Sequence, residues 1–355
     1  MTDRVGKRSV TLRDIAEAVG VSRQVVATVL AGHGSARAGE ETRERIVKAA
    51  AEMGYRPHGP ARSLATGRTH TIELQSHSIG RLPFHMPWHH MAVWSAVSEV
   101  CREHSYQLLL VSREDEQKEI SLRNLYERNV DGVILMGVSD LSVLQTAREA
   151  SIPVICVNPE MARDLLVEAG FSVVDFDNVT GIKLAIQNLR DLGHTKIGFV
   201  RGRASNQDFE ERWRAYWKIM NACGLQVRQE WTWETMPTFS GGHQVGRQFL
   251  AMRGERPTAV LAACDALALG MLNVLLEAGV SVPEEVSLMG FDDVEAASIV
   301  FPGLSTVHLD WMGLGRMGAE RLFDMLSAPN GTFVPTLTRF PVHLMHRRSC
   351  GVCGT

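Results

Sequence analysis

The first ten residues of this 355-residue chain, MTDRVGKRSV, contain no apolar core, so no secretory signal is expected. No run of about eighteen apolar residues appears, so no membrane span is expected either. Low-complexity segments and short-period repeats are absent. The six cysteines (Cys101, Cys156, Cys223, Cys264, Cys350 and Cys353) are scattered, and several stand in apolar runs. Without an export signal they read as reduced and structural rather than as a disulfide framework. The chain also lacks a strong net charge, at −3, but the charge is uneven. Residues 1–70 hold twelve Lys and Arg against seven Asp and Glu, and the remainder is acidic. A basic head on an acidic body fits a nucleic-acid contact at one end without establishing it.

What is there begins with Val10 to Leu30, VTLRDIAEAVGVSRQVVATVL. Thr11 is placed to cap a helix whose apolar positions Leu12, Ile15, Ala16 and Val19 recur at helical spacing. Gly20 and Val21 break it, and Ser22 can cap a second helix with Val25, Val26, Val29 and Leu30 inward. A helical hairpin of this kind is either a packing module or a helix-turn-helix whose second helix enters the major groove. The outward residues of that second helix are Arg23, Gln24 and Thr28. Arginine can pair with guanine, glutamine with adenine, and threonine can use its hydroxyl or pack on a thymine methyl.

A third helix is expected in Glu40–Tyr55, with Ile46, Val47, Ala50 and Met53 on one face; Arg56-Pro57 ends it. Gly59 to Gly67, GPARSLATG, suits one or two helical turns with a single large apolar residue, Leu64. So short a helix needs a partner to be stable.

With VTLRDIAEAVGVSRQVVATVL, ETRERI, GYRP and ARSLATGRT in this order, the chain resembles the headpiece and hinge of the lactose-repressor family of bacterial transcriptional regulators. The resemblance implies DNA contacts from Thr11, Ser22, Arg23, Gln24, Thr28, Tyr55, Ala61, Arg62 and Leu64. Leu64 would wedge into a minor-groove base step and kink the duplex. Ala27, Thr28 and Ala31 replace residues more usual in the family, so an unusual operator is expected.

From Thr69 the pattern alternates between strand and helix. Strands are expected at Tyr106–Val111, Gly132–Met136, Ile152–Val157, Phe171–Val174, Lys196–Val200, Ala259–Ala263, Val286–Phe291 and Phe340–Arg348. Helices are expected at Trp88–His104, Glu116–Arg128, Val179–Leu192, Glu210–Ala222, Ser240–Met252 and Asp265–Ala278. That is the βαβ signature of parallel sheets, with strands enough for two. A ligand in such a core sits beyond the carboxyl ends of the strands.

NVDGVIL, DNVTGIKLAIQNLRDLGHTKIGFVRG, RPTAVLAACDALALGM and GFDD extend the family resemblance over nearly the whole chain. It implies an α/β fold: a headpiece at 1–58, a hinge at 59–68, and a periplasmic-binding-protein-like core at 69–355. The core would comprise an N-subdomain (about 69–175 and 307–331) and a C-subdomain (about 176–306 and 332–350), with crossings near 175, 306 and 332. It further implies effector contacts from Arg212 and Asp292, with Cys264 where many members carry asparagine. A guanidinium supplies two parallel donors, suited to vicinal hydroxyls or an anion. Asp177 either joins them or caps the helix that follows it. His77, Phe84 and Trp88 fall near the first pocket loop, and Trp231 and Trp233 in the other half. These aromatics can stack on a sugar ring or belong to the core.

Three further motifs read as structural. Gly313-Leu-Gly315-Arg-Met-Gly318 fits a dinucleotide pattern, but no acidic residue follows in FVPTLTRF. MGLGRMGAERLFDML reads instead as a helix of the N-subdomain. His85, His89 and His90 surround Pro87 and lack a fourth ligand. Cys350 and Cys353 form a single C-x2-C near a terminus expected to fray.

The resulting expectation is a cytoplasmic repressor with no cofactor, binding near-palindromic double-stranded DNA as a homodimer under control of a small molecule, by default a sugar. No leucine heptad follows the last strand, so a dimer is favoured over a tetramer. The other classes considered are a sugar-binding module without a DNA role and a nicotinamide-dependent enzyme.

Overall fold

A computed structural model describes residues 10–30, 39–55, 67–76, 88–112, 123–127, 129–137, 141–203, 207–328 and 333–354. The chain divides into two compact units, Met1–His70 and Thr71–Thr355.

The first unit contains α1 (Leu12–Val19), α2 (Arg23–Leu30) and α3 (Glu40–Glu52). Ile15, Ala16, Val19, Val26, Ile46 and Ala50 form its buried core. Thr11 caps α1 through a reciprocal box with Asp14, and Gly20 ends it in the left-handed conformation at φ 75°. Arg45 fastens α3 to α1 by donating to the Val19 carbonyl at 2.9 Å. Val47, expected on the apolar face of α3, instead lies on its exposed side. Ile46 and Ala50, spaced four apart, are the buried residues of α3, with Ala49 and Met53 packed against the core beside them.

The second unit runs β1 (Thr71–Ser76), α4 (Trp88–Glu103), β2 (Gln107–Ser112), β3 (Gly132–Met136), α5 (Ser142–Glu149), β4 (Val154–Val157), α6 (Arg163–Glu168), β5 (Ser172–Phe176) and α7 (Asn178–Asp191). It continues with β6 (Ile197–Gly202), α8 (Gln207–Ala222), β7 (Thr232–Thr235), α9 (Phe239–Ala251), β8 (Ala259–Ala262), α10 (Asp265–Glu277), β9 (Ser287–Asp292) and α11 (Glu295–Ile299). It closes with β10 (Ser305–His308), α12 (Trp311–Ser327), β11 (Leu337–Phe340) and β12 (His343–Met345).

Two six-stranded sheets result, ordered β11-β5-β4-β3-β1-β2 and β12-β10-β9-β8-β6-β7. All pairings are parallel except β10 with β12. Strands buried on both faces must be apolar throughout, which is why β3 reads GVILM and β8 AVLA. One apolar cluster runs through both halves, from Ile72, Val97 and Ile134 by way of Phe176 to Phe199, Tyr216 and Phe291. Two more lie on the outer sheet faces, around Leu144 in one half and around Leu267 in the other.

The chain passes between the halves after β5, after β10 and between β11 and β12. The third passage was expected near 332, but β11 still pairs with β5, Leu337 opposite Val173, so the crossing falls at 341–342. The expected strand Phe340–Arg348 is thereby two short strands in different sheets.

Gly313, Gly315 and Gly318 lie inside α12. A Cβ on Gly315 would meet the Val93 backbone at 2.9 Å, and one on Gly318 the Val157 side chain at 2.6 Å. The glycines let α12 press against α4 and β4, which accounts for the dinucleotide-like spacing without a nucleotide. The α9–α10 contact uses the same device, since a Cβ on Gly242 would stand 2.2 Å from the Leu267 carbonyl.

Candidate functional site

The headpiece leaves one side of its second helix exposed, because α1 and α3 bury only the other. Ser22 accepts from Val25 N at 3.3 Å, an N-cap that leaves Arg23 and Gln24 exposed in the first turn. Thr28 donates its hydroxyl to the Gln24 carbonyl at 2.9 Å, so its methyl is the part left for a partner. Thr11 likewise uses its hydroxyl on Asp14, and Tyr55 packs against the headpiece core. Ala61, Arg62 and Leu64 lie outside the described residues, as do His77 and Phe84.

The second site is a cleft between the two halves of the core. Arg212 on α8 is buried, although Arg214 two positions on is exposed. Its Nε donates to Asn178 Oδ1 at 2.8 Å, and its Nη1 to the Ala263 carbonyl at 2.7 Å and to Asp292 Oδ1 at 3.2 Å. The guanidinium also lies over the Phe291 ring, 3.9 Å from its centroid. Four partners thus fix a side chain that would otherwise sample many rotamers.

Asp292 ends β9 with φ at 114°, a left-handed conformation that costs a non-glycine residue about 1–3 kcal/mol. That backbone turns the carboxylate toward Arg212. Burial raises the Asp292 carboxyl to about 6, and the Arg212 charge works against the rise.

Asp208, Phe209, Arg212 and Asp292 line a cavity of about 120 Å³ with Trp88, His89 and Trp311 from the other half. His89 packs on Trp311 with ring centroids 4.5 Å apart and planes tilted by 31°. Burial, with His90 beside it, lowers the His89 imidazole to about 3, so it lines the cavity uncharged. His90 faces Ser76, its Nδ1 3.1 Å from the hydroxyl. The indole Nε1 of Trp311 is buried with no hydrogen-bond partner among the described residues.

The expected residues therefore separate. Arg212, Asp292 and Trp88 come together at the cavity. Asp177 instead caps α7, accepting from Thr180 N at 2.9 Å and from its hydroxyl at 2.7 Å. Its neighbour Asn178 is the residue that reaches the cleft, a placement that the cap itself dictates. Trp233 packs near Phe249 in the outer core of the second half, with ring centroids 6.3 Å apart, and Trp231 is likewise buried. Cys264 is buried beside Asp292, and burial pushes its thiol up to about 12, so it is an uncharged neighbour of the site. The segment around Cys350 and Cys353 is packed rather than frayed: Cys353 N donates to the Leu192 carbonyl at 2.8 Å, and the Gly351 carbonyl lies 3.1 Å from His194 Nε2.

Sequence reasoning missed a second cluster beside the cavity. Arg163 on α6 bonds both Asp175 on β5 and Asp208 on α8. Asn158 donates to the same two carboxylates at 3.0 and 2.9 Å. Arg339 on β11 reaches Glu211 on α8 at 2.7 Å. The only signal available was Asp175, an aspartate in the otherwise apolar strand SVVDF; Asp208 stands among other polar residues in QDFEER and carries none.

Comparison with known proteins agrees with this division. Residues 11–58 match the model of bacterial regulatory proteins of the lacI family, and residues 186–350 that of the periplasmic binding protein-like domain. The ribose operon repressor of Haemophilus influenzae is 28% identical over 91% of this chain and 94% of its own length. The PurR repressor of Glaesserella parasuis is 27% identical over 96% of this chain and 98% of its own. Among solved structures, a lac repressor dimer bound to operator and an anti-inducer superposes with a TM-score of 0.77 at 25% identity, covering 96% of this chain and 99% of that one. A complex of the regulator CelR with cellobiose gives 0.68 at 28% identity, with the same coverage. The chain thus carries a DNA-binding segment of the lacI family of bacterial regulatory proteins followed by a periplasmic-binding-protein-like core.

Proposed function

We propose that this chain is a transcriptional repressor that binds near-palindromic operator DNA as a homodimer and is controlled by a neutral, hydroxyl-rich small molecule held in the core cleft. Arg23, Gln24 and the Thr28 methyl read base edges in the major groove. Thr11, Ser22 and Tyr55 settle the headpiece on the backbone, and Ala61, Arg62 and Leu64 contribute from the hinge. The cleft serves regulation rather than catalysis, in keeping with the regulators to which the chain is similar.

The observation that carries the ligand class is the composition of the cavity. Arg212 is already neutralised by Asp292, and Arg163 is shared between Asp175 and Asp208, so carboxylates outnumber guanidiniums around the cavity and an anionic ligand meets repulsion. Trp88, Trp311 and Phe209 supply flat apolar walls, while Asp292 accepts. Aromatic faces with a few fixed polar groups suit a sugar ring. The solved relatives include one bound to cellobiose and one with bound ribose.

Control follows from linkage. A ligand that favours one angle between the halves shifts operator affinity by its differential affinity for the two states. Thermal-shift screening of mono- and disaccharides against sugar phosphates tests the ligand class. Neutral sugars should raise Tm, whereas stabilisation by phosphates alone contradicts the proposal.

A further inference from the structure

The cleft carries more charge than a ligand pocket requires, and its placement is specific. Arg163 belongs to the first half of the core, where α6 packs on its sheet, and it bonds Asp175 of that half. Its other arm crosses the cleft to Asp208 of the second half. Arg163, Asp175 and Asp208 are all nearly free of solvent exposure. Asn158 crosses in parallel to Asp208, and Arg339 crosses to Glu211. From these contacts we infer that Arg163 and Asp208 form a built-in clamp by which the chain's own charges close the cleft, with no ligand required to bridge it.

Two features distinguish a clamp from an ordinary buried ion pair. Each half keeps an internal partner when the cleft opens. Arg163 retains Asp175, whose carboxylate is also held by Phe176 N at 2.8 Å. Asp208 retains Asn178 Nδ2 at 2.9 Å and stands near Arg212. Opening therefore strands no buried charge, the condition that makes breaking most buried pairs so costly. The second feature is position. Asp208 is also a wall of the ligand cavity, so a ligand that engages or displaces it acts on the clamp directly. This regulatory consequence rests on the reading of the chain as a cleft-controlled regulator; the clamp does not.

Asp208 faces Arg163, Arg212, Asn158 and Asn178, and His89, Asp175 and Asp292 also lie within its electrostatic reach. With Asn in its place the size and one acceptor remain, but the charge that attracts Arg163 across the cleft is lost. Hydrogen–deuterium exchange of the full chain, without added ligand, reads the result. In Asp208→Asn, amides of 158–168 and 207–213 should exchange about tenfold faster or more, while the strand interiors β3 and β8 stay as protected as in the wild type. Arg163→Lys, which keeps the positive charge but reaches only one carboxylate, should give the same local pattern and serves if the first variant does not fold. Unchanged exchange in a folded variant overturns the clamp, and so does uniform acceleration across both sheets, which marks a merely structural pair. Failure of the wild type to bind any operator removes the regulator reading and leaves the exchange result standing.

Discussion

Arg212 Nη1 lies 3.2 Å from Asp292 Oδ1, and the same guanidinium rests 3.9 Å above the Phe291 ring centroid. The ion pair is thus braced from below by the core and, through Asn178 and the Ala263 carbonyl, from two further elements. Such preorganisation spares the ligand the entropy of ordering the site. It makes Arg212→Lys a sharp test, because lysine has neither the fork nor the flat face. Ligand affinity should fall tenfold or more by calorimetry, while operator affinity without ligand stays within about twofold.

The reading helix makes a different prediction. Arg23 and Gln24 are exposed and make no contribution to the headpiece core. Arg23→Ala should leave Tm unchanged and cost about 1–3 kcal/mol in operator binding, with preference relaxed at one base pair per half-site. Selection from a randomised operator library measures both.

The Asp292 carboxyl stands at about 6 in the folded core against an ordinary value of 3.8. The folded state therefore holds more protons than the unfolded one between those values. The stability this group contributes is full below about pH 3.8 and is lost as pH rises through about 6. Asp292→Asn removes that dependence and still offers Arg212 an acceptor. Relative to the wild type, the variant should be more stable at pH 7 than at pH 5 by roughly 1 kcal/mol, because about half of the loss is already complete at pH 5. Urea denaturation at the two pH values checks the sign; a variant that loses ground at pH 7 contradicts it.

Gly315 faces the Val93 backbone so closely that a methyl group has nowhere to go. Gly315→Ala should lower core stability by about 1–3 kcal/mol through overpacking. Wild-type protein should show no binding of nicotinamide dinucleotides by fluorescence, because the glycine spacing serves helix contact.

Much of this was legible in the chain itself. Gly132–Met136 is a strand with the bounds its unbroken apolar run indicates, and Trp88, Asn178 and Asp265 begin helices within a residue of where periodicity places them. What escaped had a common cause. β11 and β12 are three or four residues long with half-exposed side chains, so neither carries an alternating or apolar signature that could assign it to a sheet. Arg163 and Asp175 meet through the packing of α6 on its sheet, and Asp208, 45 residues from Arg163, joins them only across the closed cleft. Trp233 illustrates the opposite error: an aromatic near a predicted pocket was core, because β7 turns it onto α9. The capping role of Asp177 hid its neighbour, since DFDN ends on two adjacent polar residues and the cap consumes only the first of them, leaving Asn178 to reach the cleft.

Ligand-controlled DNA binding is tested most directly by titrating a labelled operator with full-length protein and following fluorescence anisotropy, with and without a saturating neutral sugar identified by thermal shift. The expected result is cooperative binding to a two-fold-symmetric site, with affinity changed about 5–150-fold by the sugar; the Arg212→Lys variant should bind the operator and lose that response. Equal affinity for operator and random DNA, or an operator affinity that saturating ligand leaves untouched, would contradict it.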